Sequence, residues 1–205
     1  AAFAVHKPFE AADPEALIAE VAPRVRGMAV SRGCTADMMA RLPKLEIIAS
    51  FGVGYDSIDV EVARARGVRV TNTPDVLNDA VAELTVGMMV ALARRLPEGD
   101  VWVRSGRWQA EGGMPLTRQL TGAKAGILGL GRIGKEIARR LTAMRMEVSY
   151  HGRRAQPDQP YRYFDSLHEM ARAVDWLVVI APATPETIGV IDATVLDALG
   201  SDGHL

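Results

Sequence analysis

Glycine recurs at 129, 131 and 134 in Gly129-Leu130-Gly131-Arg132-Ile133-Gly134, directly after the apolar run Lys124 to Leu128. The same glycines open a stretch that carries Ile133, Ile137, Leu141 and Met144 on one helical side. At this spacing the first glycine allows a tight turn, the second lets backbone approach a pyrophosphate, and the third lets the helix pack on the strand. Free N–H groups and the positive end of the helix dipole then face the anion. The motif by itself is weak, and its place between a strand and an amphipathic helix is what gives it weight; a glycine turn with no ligand is the competing reading. An NAD site places a carboxylate about 20 residues further on, against the ribose 2'-hydroxyl. Here the chain has His151-Gly152-Arg153-Arg154, with no carboxylate before Asp158. Two guanidiniums suit a dianionic 2'-phosphate, so NADP(H) is the expected cofactor and NAD(H) the second candidate. Two solvated loop arginines are the alternative.

A second glycine turn, Ser50-Phe51-Gly52-Val53-Gly54-Tyr55-Asp56, also follows an apolar run, with Ser57 at the offset of the third glycine. Such a turn exposes successive backbone N–H groups that can hold a carboxylate. An ordinary strand-to-helix turn fits it equally well. Two turns in two α/β units suggest a cleft with a cofactor on one wall and a small acid on the other. Arg32, just after an expected strand, could line it. Other candidates have plainer readings. Met38-Met39 and Met88-Met89 read as core filler, and Asp56 and Asp59 as turn and cap residues. The single cysteine, Cys34, has no basic partner nearby in sequence and is not read as a nucleophile. Trp102 and Trp108 read as interface area. His6 and His168 fall in an expected strand and helix, and His151 reads as a surface or adenosine-side residue.

Helical and extended patterns alternate along the 205 residues, which predicts an α/β fold of two Rossmann-like or flavodoxin-like parallel-sheet domains. Strands are expected at 3–6, 28–31, 47–50 and 68–71, with helices capped by Asp13-Pro14, Thr35 and Asp59. One long helix should run from Asn78 to Leu96, with Val81, Leu84, Met88 and Leu92 on one face and Pro97 as its stop. Residues 99–120 read as an irregular excursion, which places a domain boundary near 95: residues 1–95 the first domain, 96–205 the second. Further strands are expected at 124–128, 147–151 and 176–180, a capping box at Ser166 and Glu169, and a last helix from Asp192 to Gly200. His204-Leu205 read as the start of a strand. Both ends therefore read as unfinished, with the first domain incomplete and the second cut short. Net charge of −1 gives no basic stripe for nucleic acid, no run approaches a membrane span, and one cysteine excludes a disulfide framework. No metal site is expected, and a reducing, cytoplasmic setting fits.

These residues together resemble the D-2-hydroxyacid dehydrogenase family, in particular its hydroxypyruvate and glyoxylate reductase branch. The landmarks are Gly52 to Asp59, Asn72-Thr73-Pro74-Asp75-Val76-Leu77, Val81 to Gly87, Gly126 to Gly134 and Pro182-Ala183-Thr184-Pro185-Glu186-Thr187. The resemblance implies a substrate domain built from both chain ends around an inserted Rossmann domain. It implies that the amides of Val53 and Gly54 hold the substrate carboxylate. Gly129 to Gly134, Gly152 to Arg154, Ala181, Pro182 and Thr187 would contact the cofactor, with Val76 and Thr85 approaching it from the substrate domain. The long helix and the tryptophan-bearing excursion would form an interdomain helix and a dimer arm, so a homodimer is expected. The family's catalytic arginine, glutamate and histidine would follow Leu205, leaving no catalytic residue within these 205. The expectation is NADPH-dependent reduction of a small 2-oxo acid. A cofactor-sensing, corepressor-like binding protein on the same scaffold is the alternative, and a cofactor-binding module without turnover is a third.

Overall fold

Side-chain caps fix where most helices begin in the computed structural model, which describes residues 3–31 and 33–205. Asp13, Thr35, Asp59, Ser166 and Asp192 each accept a hydrogen bond from an N–H of the first helical turn, supplying what those orphan donors lack. The chain divides into two units, Ala1–Val76 and Leu77–Leu205.

In the first unit, helices α1 (Pro14–Val21), α2 (Ala36–Arg41) and α3 (Val60–Ala65) accompany strands β1 (Gly27–Val30), β2 (Ile47–Ser50) and β3 (Arg69–Thr71). The strands form a parallel sheet in the order β1-β2-β3. Met39 and Ile48 are fully buried at its core, among Val30, Leu42, Ile58 and Val68. The guanidinium of Arg66 donates to the carbonyls of Met39 and Leu42, closing the C-terminal end of α2. Cys34 is buried in the same core, and desolvation pushes its thiol pKa up. The strand expected at 3–6 does not form; Phe3 and Val5 are 77% and 79% exposed. A short apolar alternation becomes a strand only where a neighbour supplies the ladder, and 3–6 has none among the described residues. Arg32 lies outside the described residues.

The second unit begins with α4 (Asn78–Ala93), α5 (Leu96–Arg104) and α6 (Arg107–Glu111). The long helix ends earlier than expected, at Ala93, and Arg95 beyond it takes a left-handed conformation with φ 50°. Pro97 then sits in the first turn of α5, where no N–H is needed, so it starts a helix rather than stopping one. The expectation of an irregular segment from 99 is corrected as far as Glu111. Helices α5 and α6 bury none of their residues, so no core contact of their own marks them. Trp102 ties them together: its Nε1–H donates to the Gly112 carbonyl at 2.9 Å, and Arg107 stacks on its ring.

Beyond them lie β4 (Lys124–Leu128), α7 (Arg132–Ala143), β5 (Glu147–His151), β6 (Arg162–Phe164), α8 (Leu167–Ala173), β7 (Trp176–Val179) and α9 (Ala193–Leu199). The four strands are parallel, in the order β6-β5-β4-β7. Both faces are covered. Ala125 and Ile127 of β4 join α4 and α7 in one core, and Leu128 joins α8 in the other. The buried run of β4 and the mid-strand of β5 follow from that two-sided cover. On α4 the apolar face named from sequence points outward. Leu84, Met88 and Leu92 are 55–64% exposed, whereas Ala82, Met89 and Ala93 make the core contact. At His204, where a strand start is expected, one isolated parallel bridge forms: its backbone pairs with Trp176 and Leu177, and its ring stacks on Trp176 at 4.0 Å.

Candidate functional site

Because all four strands of the second sheet are parallel, the loops that follow them emerge along one edge. The chain proceeds from β4 outward to β6 and then crosses to β7 on the other side of β4. Ligands of such sheets bind beyond the carboxyl ends of the strands at this reversal. Gly129 leaves β4 there, with φ 99°, and a Cβ on it would stand 2.9 Å from the Ala181 backbone nitrogen. A Cβ on Gly134 would meet the Gly129 carbonyl. The packing of the chain itself therefore demands glycine at 129 and 134. Gly131 is different: its φ is −82°, and nothing lies within 4 Å of an added Cβ. It stands at the N-cap of α7 with no side chain to occupy the helix end. That open cradle at a helix N-terminus fits a dinucleotide pyrophosphate. Leu130 and Ile133 turn the other way and anchor the motif in the core.

At the end of β5, the His151 carbonyl accepts from the Gly129 N–H at 2.9 Å, and His151 Nδ1–H donates to the Phe164 carbonyl at 2.9 Å. The next residues swing out. Arg153 and Arg154 are exposed, and neither is hydrogen-bonded to another described residue. The Glu186 carboxyl is held below its ordinary range, first by hydrogen bonding to Thr184 and its own backbone and to a lesser degree by the Arg153 charge. After β7, Ile180 N–H still pairs with the Leu128 carbonyl, so the ladder ends one bond past the strand. Thr187 then staples the loop, donating to the Pro182 carbonyl at 2.6 Å and accepting from the Thr184 N–H at 2.8 Å. Residues 129–134, 152–154 and 181–187 thus share one edge of one sheet. A cavity of about 60 Å³ lined by Lys124, Glu147 and Arg162 lies at the opposite edge, where strands begin, and has no part in this arrangement.

The other expected residues sit elsewhere. Val53 and Gly54 are in the loop after β2, and among the described residues neither amide has a hydrogen-bond partner. Asn72 holds that loop by donating to the Val53 carbonyl at 2.8 Å, and Thr73 N–H donates to the Gly52 carbonyl. Val76, 74% exposed, ends the first unit. Thr85 lies on α4 in the second unit, its hydroxyl donating to the Val81 carbonyl. Sequence reasoning passed over Asn72, although it stands in one of the quoted landmarks. It also passed over Tyr150, Gln156 and Tyr163, whose polar atoms hold the arginine loop. No residue spacing marks these.

Comparison with known proteins agrees with this geometry. Residues 86–205 match the family profile described as D-isomer specific 2-hydroxyacid dehydrogenase, NAD binding domain. The chain belongs to the D-2-hydroxyacid dehydrogenase family. Within that family it is 45% identical over 175 residues to glyoxylate/hydroxypyruvate reductase A of Arabidopsis thaliana, covering 85% of this chain and 56% of that protein. It is 46% identical over 173 residues to hydroxyphenylpyruvate reductase of Plectranthus scutellarioides, covering 84% and 55%. The chain thus spans little more than half the length of these relatives. A 2-hydroxyacid dehydrogenase structure from Ketogulonicigenium vulgare Y25 superposes with a TM-score of 0.89 at 42% identity, over 98% of this chain and 64% of that one. The NADPH-dependent glyoxylate/hydroxypyruvate reductase of Sinorhizobium meliloti, solved with NADP and malonate, gives 0.86 at 45% identity, over 90% and 58%.

Proposed function

We propose that this chain supplies the cofactor site and the substrate-carboxylate loop of an NADPH-preferring reductase that converts hydroxypyruvate or glyoxylate to the D-2-hydroxy acid. The observation that carries the reading is the loop after β5: two exposed guanidiniums and no carboxylate, beside the open cradle at Gly131. A relative of the same family bound NADP together with malonate, a carboxylate, which supports both halves of the proposal.

Bound NADPH would deliver hydride to the keto carbon. Around it, Gly129 to Gly134 present backbone and a helix N-terminus to the pyrophosphate, Gly152 to Arg154 meet the ribose phosphate, and Ala181, Pro182 and Thr187 shape the loop after β7. Val76 and Thr85 are further cofactor contacts. The amides of Val53 and Gly54 receive the substrate carboxylate. Proton delivery falls to the arginine, glutamate and histidine that the family resemblance implies, none of which is assigned among residues 1–205. In functional terms residues 1–95 belong to the substrate domain and 96–205 to the cofactor domain. The working protein is a homodimer: Leu84, Met88, Leu92, Trp108 and Leu116 leave an apolar surface on one segment, 55% exposed or more.

A full-length protein assayed by loss of reduced-nicotinamide absorbance, with hydroxypyruvate and glyoxylate and each cofactor in turn, tests the assignment. Turnover with NADPH exceeding that with NADH is expected. Absence of turnover with either acid would defeat it.

A further inference from the structure

The arginine loop is not a free excursion from β5. Tyr163 Oη donates to the Gly152 carbonyl at 3.2 Å at its start, and the Gln156 N–H donates to Tyr150 Oη at 2.6 Å at its end. Tyr150 is 1% exposed, so the second anchor is set in the core of the sheet. Between these points stand Arg153 and Arg154, exposed. The half-buried Gln156 side chain then turns back, and its Nε2 donates to the carbonyl of Leu130 at 2.8 Å. Leu130 is the middle of the glycine turn and is 4% exposed. One side chain thus links the element that faces a pyrophosphate to the element that faces a 2'-phosphate.

From this geometry we infer that Gln156 is a positioning residue for cofactor selection, which sets the separation between the glycine turn and the two arginines. This rests on the NADPH reading above. The chemistry follows from the ligand. A dinucleotide 2'-phosphate and its pyrophosphate are joined through one ribose, so the two protein sites must be held at a matching distance. An unanchored loop would be ordered only on binding, at an entropic cost charged against NADPH and not against NADH. Gln156 removes much of that cost in advance. Removing its amide leaves the Leu130 carbonyl without its donor and unties the loop from the glycine turn, while the anchors at Tyr163 and Tyr150 remain.

Gln156→Met keeps the length of the side chain and deletes the donor. Binding to the 205-residue chain is read by titration calorimetry with NADPH, NADH and adenosine 2',5'-bisphosphate. The Kd for NADPH and for the bisphosphate should rise about three- to tenfold, the net worth of one such hydrogen bond, with NADH changed by less than about twofold. In an Arg153→Ala, Arg154→Ala background the same substitution should have no further effect on NADPH, because the groups it positions are gone. Equal weakening of both cofactors, or a full effect that persists without the arginines, would show a purely structural role and overturn the inference. If Arg153→Ala, Arg154→Ala abolishes the NADPH preference and Gln156→Met does not change it, the cofactor reading stands and Gln156 is excluded. If the unaltered chain binds NADH as tightly as NADPH, both fail together.

Discussion

The three glycines of the turn look equivalent in sequence and are not equivalent physically. Gly129 is held left-handed against Ala181, and Gly134 presses on the Gly129 carbonyl, so both answer to the fold. No described residue crowds an added Cβ at Gly131, so packing does not require glycine there. Substitution should separate these duties. Gly129→Ala forces a side chain into a backbone conformation that costs on the order of 1–3 kcal/mol and into contact with Ala181, so its melting temperature should fall by several degrees. Gly131→Ser introduces a favourable N-cap, so thermal stability should be unchanged or raised by a few tenths of a kcal/mol. Its hydroxyl would nevertheless compete for the helix N–H groups, and NADPH affinity should drop at least about tenfold by calorimetry. Retained affinity in a stable Gly131→Ser protein would remove the pyrophosphate from this turn. The loop after β2 carries a similar lesson in reverse. Gly52 and Gly54 both have negative φ and only ordinary contacts for an added Cβ, so the fold does not require glycine there. Their unpaired neighbouring amides, not their torsions, are what support a carboxylate site.

Helix α7 shows what patterning reveals and what it hides. Its inward residues Ile137 and Leu141 are fully buried, as their spacing predicts, in the core that α7 shares with β4 and α4. Helix α4 defeats the same logic: Leu84, Met88 and Leu92 are exposed while Ala82, Met89 and Ala93 are buried, and close packing on α7 suits the small Ala82 and Ala93. Caps at Asp13, Thr35, Asp59, Ser166 and Asp192 were legible because a single side chain decides them. The left-handed break at Arg95 was not, since no glycine marks it. What joins α4 to α7 is also invisible in spacing. Arg140, with a side chain only 18% exposed, reaches Asp79 on α4 at 2.6 Å and Glu136 on α7 at 2.6 Å. Hydrogen bonding to Arg140 holds the Asp79 carboxyl low; Arg139 first and then Arg140 do the same for Glu136. A lowered carboxyl pKa contributes stability that is complete above its unfolded value and lost as pH falls through the folded one. Arg140→Met should therefore melt at a lower temperature at neutral pH, with the difference fading as pH drops below about 4. A gap that stays constant across that range in calorimetric melts would mean that the ion pairs are not its cause.

For the whole molecule, the exposed apolar surface on residues 84–116 is the feature least explained by a lone chain. Trp108 is 61% exposed and Leu116 fully so, on helices and a following segment that bury almost nothing of their own. Water is a poor neighbour for that much hydrocarbon, and in the proposed homodimer a second copy would cover it. Sedimentation should find a dimer at micromolar concentration. The double substitution Trp108→Glu, Leu116→Glu should convert it to a monomer that still binds NADPH; a monomeric parent, or an unchanged dimer, would place the interface elsewhere. Cys34, meanwhile, has a further use. The only thiol of the chain is buried and desolvation raises its pKa, so slow reaction with maleimide-type reagents is expected. A single cysteine placed on the arginine loop would then be the preferred point of attachment for a fluorophore, which makes the natural sequence a ready background for following that loop by spectroscopy.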